Sequence, residues 1–173
     1  MWLDGDVAPR ALYNWTSNPD AMAHTWRAAI DANINKDIIW TVGLRGLWDY
    51  SMCPHDFSPV QCGQIISDAL ANQTDWIKQA SKAANVKDPP KIITYLWSEL
   101  LTLFKAGMLT VPEGVKVIFT DAGKGRIGGL EDVHLADGLY YHTAMLDGGA
   151  NQLTEMISPA LIFVRSVIDS LIP

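Results

Sequence analysis

Lys91-Ile92-Ile93-Thr94-Tyr95-Leu96-Trp97-Ser98-Glu99 is apolar for most of its length and ends in an aromatic ring, a hydroxyl and a carboxylate. It follows Asp88-Pro89-Pro90, which ends any preceding helix, so Lys91 to Leu96 reads as a buried strand. Three other stretches have the same form. They are Ile38-Ile39-Trp40-Thr41-Val42-Gly43-Leu44-Arg45-Gly46-Leu47-Trp48-Asp49, Val117-Ile118-Phe119-Thr120-Asp121 and Gly138-Leu139-Tyr140-Tyr141-His142. A strand with an apolar body and a polar C-terminal end is what a (β/α) barrel presents at its active face. These segments place Asp49, Glu99, Asp121, Arg45 and His142 just past strand ends, a pattern that predicts an enzyme.

Between the strands the periodicity is helical. Asn18-Pro19-Asp20 opens a helix to about Ala32, with Asn18 or Asp20 as its cap and Met22, Trp26, Ala29 and Ile30 on one face. A strand from about Asp37 to Gly43 and a loop from Leu44 to Phe57 follow. The next helix runs from about Pro59 to Ala84, with Ile65, Ile66, Leu70, Trp76, Ile77 and Ala80 as its apolar stripe. Glu99 to Lys105 reads as a shorter helix closed by Gly107. Val111-Pro112-Glu113-Gly114 turns into a strand from Val115 to Thr120. A glycine-rich loop, residues 121–129, leads to the last strand at Leu139–Tyr141, and 159–172 is apolar and helix-like. Strand–helix alternation predicts a parallel sheet with crossover helices. About four βα units are present, whereas a closed barrel of this type needs eight. The expectation is either an open α/β domain or part of a (β/α)8 TIM-type barrel.

The bulk properties narrow the function. A chain of 173 residues with 49% hydrophobic and 18% charged residues is globular. A net charge of −6 argues against nucleic acid and against an anionic membrane surface. No apolar run is long enough to span a bilayer, and the first residues lack the basic and apolar regions of a signal peptide. Cys53 and Cys62 read as two ordinary thiols, because spacing alone does not establish pairing. No Cys/His spacing suggests zinc or another metal, and Gly123-Lys124-Gly125-Arg126 lacks phosphate-loop spacing. No cofactor is expected. Asn14-Trp15-Thr16 and Asn72-Gln73-Thr74 are glycosylation sequons, which permit a secretory history.

Six ordered motifs resemble glycoside hydrolase family 115, the family of xylan α-1,2-glucuronidases. They are Trp40-Thr41-Val42-Gly43-Leu44-Arg45-Gly46 with Asp49-Tyr50, Tyr95-Leu96-Trp97-Ser98-Glu99, Val111-Pro112-Glu113-Gly114-Val115, Thr120-Asp121-Ala122-Gly123-Lys124-Gly125, Tyr140-Tyr141-His142 with Ala144-Met145, and Ala150-Asn151-Gln152-Leu153-Thr154-Glu155-Met156. Ala122 departs from the family's loop, which has an acidic or amide residue there. The resemblance covers about residues 10–160 and leaves 161–173 as a divergent tail. It implies a single partial catalytic barrel over 1–173, an inverting mechanism, and a substrate of glucuronoxylan or an oligosaccharide bearing glucuronic acid. Full-length members of the family are expected to be secreted.

Inversion needs an acid and a base on opposite faces of the sugar, roughly 6.5–9.5 Å apart. The resemblance and the strand-end positions nominate Asp49 and Glu99, with their two roles unassigned. Asp121 is a third carboxylate, suited to positioning water or a sugar hydroxyl. Arg45 is either a fork for the substrate's carboxylate or a structural ion pair with Asp49 or Asp121. Trp48 and Trp97 are candidates for stacking on a sugar ring, the other tryptophans being core. Tyr141 and His142 are candidate donors to sugar oxygens. Asn151 is either a substrate contact or a helix cap. Two alternatives to hydrolysis stay open: a non-catalytic remnant and a carbohydrate-binding protein. Half a barrel leaves unpaired strand edges, which predicts self-association.

Overall fold

The computed structural model describes residues 15–44, 51, 53, 56–120 and 130–140. Eight elements lie within them: α1 (Pro19–Asn33), β1 (Ile39–Thr41), α2 (Pro59–Ala83), β2 (Lys91–Leu96), α3 (Glu99–Lys105), β3 (Val115–Thr120), a 3-10 segment (Leu130–Leu135) and β4 (Gly138–Tyr140). The four strands form a parallel sheet in the order β1-β2-β3-β4. Trp40 is in register with Ile92 in the first pair, and Phe119 with Leu139 in the last. The chain divides into two compact units, one up to Thr94 together with Leu103–Val115, the other of Tyr95–Thr102 and everything from Lys116.

The first unit is organised by α2, whose ends are set by local chemistry. At its start Ser58 and Gln61 exchange bonds: the Gln61 N–H donates to Ser58 Oγ at 3.3 Å and the Ser58 N–H to Gln61 Oε1 at 2.9 Å. At its end Asn85 takes a left-handed conformation, φ +53°. The Asn85 N–H then reaches Lys82 O and the Val86 N–H reaches Ser81 O, satisfying the last carbonyls. Gly107 closes α3 in the same way, with bonds to Phe104 O and from Met108 to Leu103 O, as the sequence predicts. Asn18 is the N-cap residue of α1 but its side chain makes no capping bond, and Asp20, the alternative cap, lies in the first turn beside Pro19.

Cys62, Ile66, Ala69, Leu70, Gln73, Ile77 and Ser81 form the buried face of α2. They recur at three- and four-residue steps. Ile65, Trp76 and Ala80, expected on that stripe, are half-buried at its margin. Against this helix α1 places Met22, Trp26 and Ile30. Trp26 stacks on Trp15 at 5.0 Å and tilts against Trp76 at 6.2 Å, with the Arg27 guanidinium 4.6 Å from the Trp76 ring. With Trp40 buried in β1, four of the seven tryptophans are packing residues, as composition suggests. On another side of α2 the backbone of Met108 comes so close that a Cβ on Gly63 would collide with its carbonyl oxygen. Ser67 adds a hydrogen bond there, accepting from the Thr110 N–H at 2.9 Å.

Two surface ion pairs pin the N-terminal ends of strands, Lys91 to Asp37 at 2.9 Å and Lys116 to Asp137 at 2.7 Å. Asp137 also accepts the Val117 N–H at 2.8 Å. The Lys116 ammonium, helped by that N–H, holds the Asp137 carboxyl below the ordinary carboxylate range. A depressed folded value means the stabilisation is complete above the unfolded value and is lost as pH falls through the folded one.

Two expectations follow for the fold. Gly63→Ala destabilises by about 2–4 kcal/mol in denaturant unfolding, because backbone rather than a movable side chain blocks the methyl group. Asp137→Asn lowers the melting temperature at neutral pH, and the gap to the parent closes as pH falls below about 4. A gap independent of pH would show that the carboxylate's charge contributes nothing. The side chain is 37% exposed, so the effect is modest.

Candidate active site

In the first unit the site begins where β1 ends. The Val42 N–H donates to Ile93 O at 2.9 Å. Gly43 then turns with φ +137°, which favours glycine. Its peptide groups meet the side chain of Gln73, which has no solvent exposure. The Gly43 N–H donates to Gln73 Oε1 at 2.7 Å, and Gln73 Nε2 donates to Gly43 O at 3.2 Å. A side-chain amide thus continues the pairing that a neighbouring strand would otherwise supply. It holds the backbone of Gly43 where the chain leaves β1.

The far end of that loop is also tied to α2. Cys53 and Cys62 form a disulfide, with Cα atoms 5.6 Å apart. This corrects the expectation of two free thiols. Cys62 is buried on the first turn of α2, so the bond holds Cys53 against that turn.

In the second unit three strand ends lie side by side. Thr120, at the end of β3, donates its buried hydroxyl to Leu96 O at 2.9 Å. Thr120 is in register with Tyr140 of β4, whose ring meets that of Tyr95 edge-on at 5.7 Å. The chain leaves β2 through Trp97 and Ser98, both unlike the strand before them. Ser98 has φ +53°, an uncommon conformation for a residue with a Cβ, costing on the order of 1 kcal/mol. Its carbonyl accepts the Thr102 N–H at 3.3 Å, and Trp97 O accepts the Leu100 N–H at 3.1 Å. These bonds start α3 at once and bring Glu99 into its first turn. Trp97 and Glu99 are both half-buried.

Of the predicted site residues, Trp97 and Glu99 therefore stand together past β2. Arg45, Trp48, Asp49, Asp121, Tyr141, His142 and Asn151 lie outside the described residues, as do Ala122, the loop at 123–126 and the helix-like stretch at 159–172. No group of His, Cys, Asp and Glu suited to a metal ion occurs among the described residues. No described helix is long and apolar enough to cross a membrane. Gln73 and Ser98 are the positioning residues that sequence reading missed. For Gln73 the signal was available: an amide at the three- and four-residue step of an apolar stripe calls for a buried polar partner. For Ser98 no residue type signals the conformation, since serine rarely adopts it.

A family sequence model matches residues 2–165, nearly the whole chain; its description is glycosyl hydrolase family 115. No curated protein matches the chain significantly.

The Gln73 clamp yields a direct test. Gln73→Leu keeps the volume but leaves the Gly43 N–H and carbonyl without that partner, and should cost about 2–4 kcal/mol in denaturant unfolding. A loss within about 0.5 kcal/mol would show that the Gly43 peptide groups find other partners.

Proposed function

The chain belongs to glycosyl hydrolase family 115, and from that membership we propose that it removes α-1,2-linked glucuronic acid, or its 4-O-methyl ether, from xylan. In this reading the βα units are part of a (β/α)8 barrel. The unreversed strand order β1-β2-β3-β4 supports it, since a doubly wound sheet reverses order at a switch point. The observation that carries the catalytic proposal is the presentation of Glu99. A half-buried carboxylate follows a parallel strand by way of Trp97 and the strained Ser98.

The proposed chemistry is inversion by two carboxylates, Glu99 and Asp49. One protonates the glycosidic oxygen as the bond to the anomeric carbon breaks. The other takes a proton from the water that attacks the opposite face, and the released sugar has inverted configuration. Arg45 binds the uronic acid's own carboxylate in a two-point fork. Trp97 and Trp48 stack on sugar rings, Asp121 positions water or a hydroxyl, and Tyr141, His142 and Asn151 bond sugar oxygens. The Cys53–Cys62 disulfide supports a secreted protein, because such bonds persist in oxidising compartments.

The test uses the full chain with glucuronoxylan, following release of uronic acid and the configuration of the anomer first formed. Glu99→Gln is expected to lower turnover by about 10²–10⁴-fold while leaving sugar binding in place. Unchanged turnover would remove Glu99 from the mechanism. A parent that binds the polysaccharide without releasing uronic acid would make the chain a carbohydrate-binding protein instead.

A further inference from the structure

We propose that Asn72 is an N-glycosylation site, modified when the chain is made in an oxidising secretory compartment. The sequon Asn72-Gln73-Thr74 lies in the middle of α2, and its three side chains have different environments. Asn72 is exposed, and its Nδ2 donates to Asp68 O at 2.8 Å. A sugar attached to that nitrogen still leaves one N–H for the bond and projects into solvent, so the fold tolerates it. Gln73 is accounted for by its bonds to Gly43.

Thr74 is the informative member. It is 1% exposed, and its Oγ1 has no hydrogen-bond partner. A buried hydroxyl without a partner is disfavoured against valine, which has nearly the same shape. Threonine brings no compensating advantage in helix propensity. Packing therefore gives no reason for an oxygen at this position, whereas a sugar-transferring enzyme reads that hydroxyl as part of the sequon. The disulfide between Cys53 and Cys62, an independent observation, is of the kind made where such enzymes act.

The transfer balances without a redox partner. Nδ2 of Asn72 displaces a lipid-linked pyrophosphate from the anomeric carbon of the donor oligosaccharide. One C–O bond breaks, one C–N bond forms, and the proton lost from Nδ2 leaves with the pyrophosphate. Because Thr74 is covered once α2 packs, the transfer precedes folding.

The experiment is to secrete the full chain from a eukaryotic host and map its peptides before and after peptide N-glycosidase. Mapping separates Asn72 from the second sequon at Asn14. The expected result is a glycan on the Asn72 peptide, absent in Asn72→Gln and retained in Thr74→Ser. Recovery of that peptide unmodified from the parent overturns the proposal. A second comparison sets Asn72→Gln beside the double variant Asn72→Gln with Thr74→Val, neither of which carries a glycan at this position. The expected melting temperature of the double variant is equal or higher by about 2–4 °C. A fall of several degrees, or failure to fold, would show that the fold itself needs the hydroxyl and would remove the argument for the site.

Discussion

A glutamine side chain with no solvent exposure holds both peptide groups of Gly43, and the first unit is arranged around that contact. Gln73 can reach Gly43 only if α2 lies at one height and one rotation beside β1. The rotation is set by the apolar residues at helical steps on either side, Leu70 and Ile77 among them. The height is set by Gly63, whose missing Cβ lets Met108 approach. Apolar burial brings helix and sheet together but tolerates sliding. Two short hydrogen bonds in a dry environment do not, since a displacement of an ångström loses both.

Chemical roles segregate along the strands. The lysine–aspartate pairs Lys91–Asp37 and Lys116–Asp137 occupy N-terminal strand ends, where their charges are spent on each other. At the other ends the polar groups are of a different kind. Gly43 is bound by an amide and Leu96 O by a threonine hydroxyl, both uncharged.

Much of this architecture can be read without coordinates, and the reason is local. Pro59, the Asp88-Pro89-Pro90 break, Gly107 and the Val111–Gly114 turn are punctuation that acts through backbone dihedrals, so α2, β2, α3 and β3 fall within a residue or so of expectation. β1 is shorter than expected because the apolar run around it continues past its hydrogen bonds, and Gly43 leaves the sheet. What resisted reading is what depends on distance through space. The disulfide requires knowing that Cys53 lies against the first turn of α2, where Cys62 is buried. The role of Gln73 requires knowing which backbone lies opposite it. For the site, sequence places Glu99 and Trp97 past β2, and the structure adds the strained Ser98 between them.

The segment leaving β1 is fastened at both ends, by Gly43 on Gln73 and by Cys53 on Cys62. Both fastenings use α2, so a shift of that helix moves both ends of the segment together. For a laboratory seeking altered sugar preference, Gly43, Gln73 and the cystine are the positions to keep constant, because they tie both ends of the segment to one helix.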